Sequence, residues 1–236
     1  MSEPRIIVAL DYSDKKQALD LVNQLDKTCC RVKVGKELFT AAGPQLVEQL
    51  MMLGFEVFLD LKFHDIPNTV AQACKVAANL GVWMVNVHAS GGKKMLLAAR
   101  DALPPGKTKL IAVTVLTSLD QFALNEIGWY RAPMDIAAQL ASLTSDCGLD
   151  GIVCSAAEAA IIRKNIPQKN FWLVTPGIRP ADSAQHDQAR VTTAKVAILN
   201  GADYLVIGRP ITQSANPMAT LQQLNDEILS ACSTIN

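Results

Sequence analysis

Eight short apolar runs alternate with longer amphipathic segments along the chain, and this alternation limits the possible folds more than any other feature. The runs are Ile6–Leu10, Arg31–Val34, Glu56–Leu61, Val82–Val87, Lys109–Val115, Gly151–Val153, Phe171–Val174 and Tyr204–Ile207. Helical periodicity marks Lys15–Leu25, Pro44–Leu53, Val70–Leu80, Lys93–Leu103, Met134–Cys147, Ala156–Lys164, Ala194–Asn200 and Met218–Leu229. A crossover helix returns the chain to the same end of a sheet, so strands joined this way pair in parallel. Eight such units in 236 residues predict an α/β fold, a (β/α)8 TIM barrel forming one domain over residues 1–236. An open doubly wound sheet is the alternative. It is weakened because no glycine-rich dinucleotide fingerprint follows the first run.

Composition narrows the function classes. Half the residues are apolar and 19% are charged, enough for a sizeable core and unlike a disordered chain. Lys+Arg and Asp+Glu both number 22, and this balance argues against a nucleic-acid or membrane-surface partner. The six Cys show no CxxC pair and no metal-ligand spacing, which reads as reduced structural thiols. The segment before the first run lacks the apolar core of a signal peptide, and no apolar stretch is long enough for a bilayer. The expectation is a soluble cytoplasmic protein.

In a barrel of this kind the active site lies at the C-terminal ends of the strands. Polar residues gather there: Asp11 after the first run, Lys33 between Val32 and Val34 in the second, and Asp60 and Lys62 at the end of the third. Strand alternation predicts that Lys33 faces into the barrel and that Asp60 and Lys62 share a face. Asn86 and His88 share a face near the end of the fourth run, and Thr114 and Thr117 close the fifth. Opposite charges clustered at one strand end are costly to bury unless paired, so a role in stability is a poor explanation for them. Asp11, Lys33, Asp60, Lys62 and Asp65 could form an alternating carboxylate–ammonium network. A Lys held protonated by its neighbours is a competent general acid. Plainer readings exist: Asp11 as a helix cap (although Ser13 or Asp14 suits that better), Lys33 reaching out to solvent, and Asp65 as a turn residue.

A second signal is phosphate binding. Thr175-Pro176-Gly177-Ile178-Arg179 follows the seventh run and Gly208-Arg209-Pro210-Ile211 the eighth, where this fold frequently holds a phosphate. Glycine allows close backbone approach, a short helix starting near Pro210 would aim N–H groups at the oxygens, and the two Arg supply charged forks. The polar segment Pro180–Arg190 reads as a lid, with Gln188 able to reach a ligand. His64, His88 and His186 make no metal constellation. Trp83, Trp129 and Trp172 show no stacking pattern and read as core or interface residues.

Asp60-Leu-Lys-Phe-His-Asp-Ile-Pro-Asn-Thr69 resembles the signature of the orotidine 5′-phosphate decarboxylase family. Val8–Asp11, Lys33–Gly35, Val85–Gly92, Val113–Ser118, Thr175–Arg179 and Gly208–Ile211 fit the bacterial pattern of that family. The resemblance implies a cofactor-free, metal-free homodimeric barrel that converts orotidine 5′-phosphate, a small-molecule nucleotide, to UMP and CO₂. It implies Lys62 as proton donor to C6, Asp60 beside the substrate carboxylate, Lys33 between Asp60 and the ribose, and Asp11 on the ribose. It also places Asp65, Ile66 and Thr69 in the neighbouring subunit's site and Thr117 on the pyrimidine. Arg179, Gln188, Gly208 and Arg209 would hold the phosphate and close the lid, and Pro176 would also bind the substrate.

Two rivals remain. Keto-gulonate-phosphate decarboxylases and hexulose-phosphate synthases are similar in their Asp-x-Lys-x-x-Asp core. They use magnesium, with an acidic ligand on the second strand where this chain has Lys33, a cation that opposes metal binding. A non-catalytic nucleotide-binding protein is the other class, and the intact Lys62 argues against it.

Overall fold

The computed structural model describes residues 3–104, 106–168, 170–179 and 192–235. Its strands are β1 (Ile6–Ala9), β2 (Arg31–Gly35), β3 (Val57–Phe63), β4 (Met84–His88), β5 (Lys109–Val113), β6 (Gly151–Val153), β7 (Trp172–Thr175) and β8 (Tyr204–Ile207). All pair in parallel and in sequence order, and β1 closes the ring on β8 through Ile7 and Val206. The helices are α1 (Lys15–Val22), α2 (Lys36–Met52), α3 (Pro67–Leu80), α4 (Gly92–Asp101), α5 (Gln121–Glu126), α6 (Pro133–Asp146), α7 (Ala156–Asn165), α8 (Ala194–Leu199), α9 (Arg209–Thr212) and α10 (Pro217–Ile235). The expected (β/α)8 barrel is what forms.

Strand alternation sorts side chains into two cores. Outward residues such as Ile6, Val8, Val32, Val34, Leu59, Val85 and Val87 pack against the helices. Inward residues Ile7, Phe58, Met84, Ile111, Val174 and Tyr204 fill the barrel. Because both faces are buried, the strands read as continuous apolar runs, which is why they stood out in the sequence. Gly151 is needed at the tight β6–β7 contact, where a Cβ would lie 2.2 Å from the Trp172 carbonyl oxygen.

Three local features depart from the sequence reading. The second helix begins at Lys36, well before Pro44, and it bends at Gly43 (φ 67°), after which Pro44 starts a new helical segment. Helix α5 was not anticipated; it is a single short piece capped by Asp120, which accepts the Ala123 N–H at 2.9 Å. Trp83 and Trp172 do stack, with ring centroids 5.8 Å apart, and both meet Tyr204 edge-on. Trp83 immediately precedes β4, while Trp172 opens β7 and Tyr204 opens β8, so the three rings meet at the N-terminal end of the barrel. Trp129 packs on a small satellite cluster under the β5–α6 connection.

Arg31 is wedged into this aromatic floor. Its guanidinium carbon sits 4.1 Å from the Trp83 centroid, and it pairs with Glu56 at 2.7 Å and Glu3 at 2.5 Å. Its side chain is 3% exposed whereas both carboxylates are more than half exposed, so its main contribution is packing. Arg31→Ala is expected to cost about 3 kcal/mol, lowering the melting temperature by on the order of 10 °C. A thermal melt checks this, and an unchanged midpoint would show that the floor is not stabilising. The substitution lies at the opposite end of the barrel from the site described next, so kcat should be retained.

Candidate active site

The C-terminal ends of the strands surround a cavity of about 370 Å³. Its lining includes Asp11, Lys33, Asp60, Lys62 and Thr117, on or after β1, β2, β3 and β5, and Pro176, Arg179, Gly208 and Arg209 after β7 and β8. Asp65, Ile66 and Thr69 do not line it; they lie exposed at the start of α3, with Ile66 66% exposed. Asp65 Oδ1 accepts the Ile66 N–H at 2.6 Å, the turn geometry considered for it above. Gln188 and the proposed lid, with His186, fall outside the described residues. Thr114 turns its hydroxyl onto the Val153 carbonyl at 3.0 Å. The N-cap of α1 is Asp14, whose carboxylate accepts the Gln17 N–H at 2.9 Å, which leaves Asp11 to the cavity.

Four charges form a chain. Asp11 Oδ1 lies 3.1 Å from Lys33 Nζ, Lys33 Nζ lies 3.2 Å from Asp60 Oδ2, and Asp60 Oδ1 lies 2.6 Å from Lys62 Nζ. Gly35 leaves room for it, since a Cβ there would approach Lys33 Nζ to 3.3 Å. Burial alone would lower the Lys33 pKa, but the Asp60 and Asp11 carboxylates outweigh it and hold the ammonium above its ordinary value. Burial would likewise raise Asp60, but Lys33, Lys62 and a hydrogen bond from Asn86 hold it below the usual carboxylate range. Asp60 is thus a carboxylate kept ionised between two ammonium groups.

Lys62 meets Asp60 by a different route from the one the alternation rule implied. Leu59 pairs with Val85 and Phe63 with Val87, so β3 carries extra residues between those pairs and its pleat is broken. Lys62 itself has φ 51°, and it is the one non-glycine residue in the left-handed region among the described residues. That conformation costs roughly 1–3 kcal/mol, and such strain clusters at functional sites. The shared direction of Asp60 and Lys62 comes from this kink.

Asn86 holds the kink. Its Oδ1 accepts the Lys62 backbone N–H at 2.8 Å, and its Nδ2 donates to Asp60 Oδ1 at 2.7 Å. The sequence marks Asn86 only as sharing a face with His88 near the end of the fourth run. A fully buried amide between two valines was the available signal, since it must find partners. Next to it, the His88 and His64 ring centroids lie 5.4 Å apart. Burial, with help from His64, Lys36 and Lys62, pushes the His88 imidazole down to about 4, so it is neutral at ordinary pH. Among the described residues, no group of three His, Cys, Asp or Glu could hold a metal ion.

Arg179 follows β7, and Arg209 opens α9 behind Gly208. Both rim the cavity on the side away from Lys62, a suitable anchor for a phosphate at one end of a ligand whose other end reaches the ammonium. A parallel barrel with a positioned ammonium facing an arginine-edged pocket has the layout of a barrel enzyme that acts on a phosphorylated substrate. Residues 4–224 match the model of the orotidine 5′-phosphate decarboxylase / HUMPS family, and the chain belongs to that family. It is 63% identical over 228 residues to the orotidine 5′-phosphate decarboxylase of Nitrosospira multiformis, covering 97% of this chain and 95% of that one. It is 62% identical to the Nitrosomonas eutropha enzyme of the same name, covering 98% and 100% of the two chains. The crystal structure of orotidine 5′-phosphate decarboxylase from Lactobacillus acidophilus superposes with TM-score 0.85 at 37% identity, over 96% of this chain and 99% of that one.

Proposed function

We propose that this chain decarboxylates orotidine 5′-phosphate to UMP and CO₂, acting as a single barrel domain in a cytoplasmic homodimer. The observation that carries the reading is the Asp11–Lys33–Asp60–Lys62 chain, with Lys62 Nζ held 2.6 Å from Asp60. Arg179 and Arg209 grip the phosphate, helped by Gly208 and Gln188, and Pro176 lines the substrate pocket. Asp11 and Lys33 meet the ribose, and Thr117 meets the pyrimidine. The C6–carboxylate bond breaks, its electron pair stays on C6, and CO₂ leaves. Lys62 stabilises the developing carbanion electrostatically, then passes a proton from Nζ to C6 and is reprotonated from solvent. Asp60 lies beside the leaving carboxylate and fixes the ammonium. Contacts at the remote phosphate contribute binding energy that is realised at the transition state.

Asp65, Ile66 and Thr69 serve the site of a partner subunit. Support comes from their exposure outside their own cavity and from Ile66 and Val76, apolar residues 66% and 68% exposed along α3. Lys33 supports a metal-independent reaction, because it places an ammonium where magnesium-using relatives would carry an acidic ligand. The test is to follow loss of orotidine 5′-phosphate absorbance with purified protein, with and without EDTA. Equal rates are expected. Absent activity, or activity abolished by the chelator, would favour a magnesium-dependent relative instead.

A further inference from the structure

We infer that Asn86 is a positioning residue for the reaction, holding Lys62 in the backbone conformation that aims its ammonium while orienting the Asp60 carboxylate beside it. The inference rests on the decarboxylase reading. Asn86 is the group that touches both halves of the charge pair from outside β3: it accepts from the Lys62 backbone at 2.8 Å and donates to Asp60 at 2.7 Å. The two bonds use opposite ends of one amide, so the orientation of the amide is fixed by its partners. Side chain and backbone are thereby coupled. If the amide is lost, the Lys62 N–H has no acceptor, and the left-handed kink at φ 51° loses the bond that secures it. Asp60 Oδ1 would then be shared with nothing but the Lys62 ammonium.

The position on β4 explains why no other residue does this. Met84, Asn86 and His88 face inward, Met84 fills the barrel core, and Asn86 stands one layer higher at the level of Asp60. A side chain reaching across from β4 at that level meets the bulge of β3, where the ladder no longer supplies backbone partners. Asn supplies one acceptor and one donor at the required separation. Asp would supply two acceptors, Leu neither.

Two variants test this. Asn86→Ala is expected to lower kcat by on the order of 100-fold, since the ammonium is displaced while the phosphate grip is intact. KM and the dissociation constant of UMP should stay within a few-fold of wild type. Asn86→Asp keeps the acceptor for the Lys62 N–H but sets a second carboxylate against Asp60. The charged and titratable groups around this pair, among the described residues, are Asp60 and Lys62 on β3, Lys33 on β2 with Asp11 beyond it, Lys36 at the start of α2, and His88 and His64. As pH falls, a proton held between the two carboxylates restores the missing donor. The activity of Asn86→Asp relative to wild type should therefore rise by on the order of 10-fold between about pH 8 and about pH 5.5. A purely structural role would lower UMP affinity and kcat together and leave that ratio flat; either result overturns the inference. So does an Asn86→Ala kcat within twofold of wild type. Wild-type protein without turnover would instead refute the decarboxylase reading itself, so the two failures are distinguishable.

Discussion

Lys62→Ala is expected to lower turnover of orotidine 5′-phosphate by on the order of 10⁵-fold while UMP still binds. The size follows from two roles lost together: proton donation to C6 and the fixed positive charge facing the developing carbanion. The fold should survive. Asp60 keeps Lys33 at 3.2 Å and Asn86 at 2.7 Å, so no buried carboxylate is left unpaired. Arg179 and Arg209 lie across the cavity, so the phosphate anchor is untouched and the UMP dissociation constant should change little. Single-turnover measurement with excess enzyme separates the chemical step from binding, and calorimetry reports the UMP affinity. Unchanged turnover would sink the assignment of Lys62. Loss of both turnover and UMP binding would mean that the substitution collapsed the pocket.

The parts of this site that the sequence revealed are those governed by strict periodicity. Lys33 lies between two valines on a strand buried on both faces, so its inward direction follows from the pleat, and its ion pair with Asp60 confirms that geometry. The loops at Gly177 and Gly208 announce themselves by position after β7 and β8. What stayed hidden breaks periodicity. The kink at Lys62 needs a positive φ at a lysine, and neither Gly nor Asn marks it. The two hydrogen bonds of Asn86 depend on the β3–β4 register at that kink, so they could not be read from either strand alone. The Trp83–Trp172–Tyr204 floor joins three positions distant in sequence. Helix α5 and the first part of α2 are too short, or too broken by Gly43-Pro44, to show a clear helical repeat.

Mixing two inactive variants is expected to regenerate activity if the site is shared between subunits. Asp65 follows Lys62 by three residues, yet in its own chain it is exposed and does not line the cavity. Asp65→Ala should therefore fold normally and still lose most of its turnover, because the partner subunit's Lys62 would lack its second carboxylate. Lys62→Ala is inactive for the reason given above. In a hybrid dimer, one site combines Lys62 from the Asp65→Ala chain with Asp65 from the Lys62→Ala chain, and that site is intact. The other site lacks both groups. Random exchange places half the chains in hybrids with one working site each, so activity should recover to about a quarter of the wild-type value. Native mass spectrometry with one chain tagged verifies that subunits have exchanged. Exchange without recovery, or an Asp65→Ala protein as active as wild type, would confine the site to a single chain. Diluting the wild-type protein gives an independent readout: a shared site loses specific activity as the dimer dissociates, whereas a self-contained one does not.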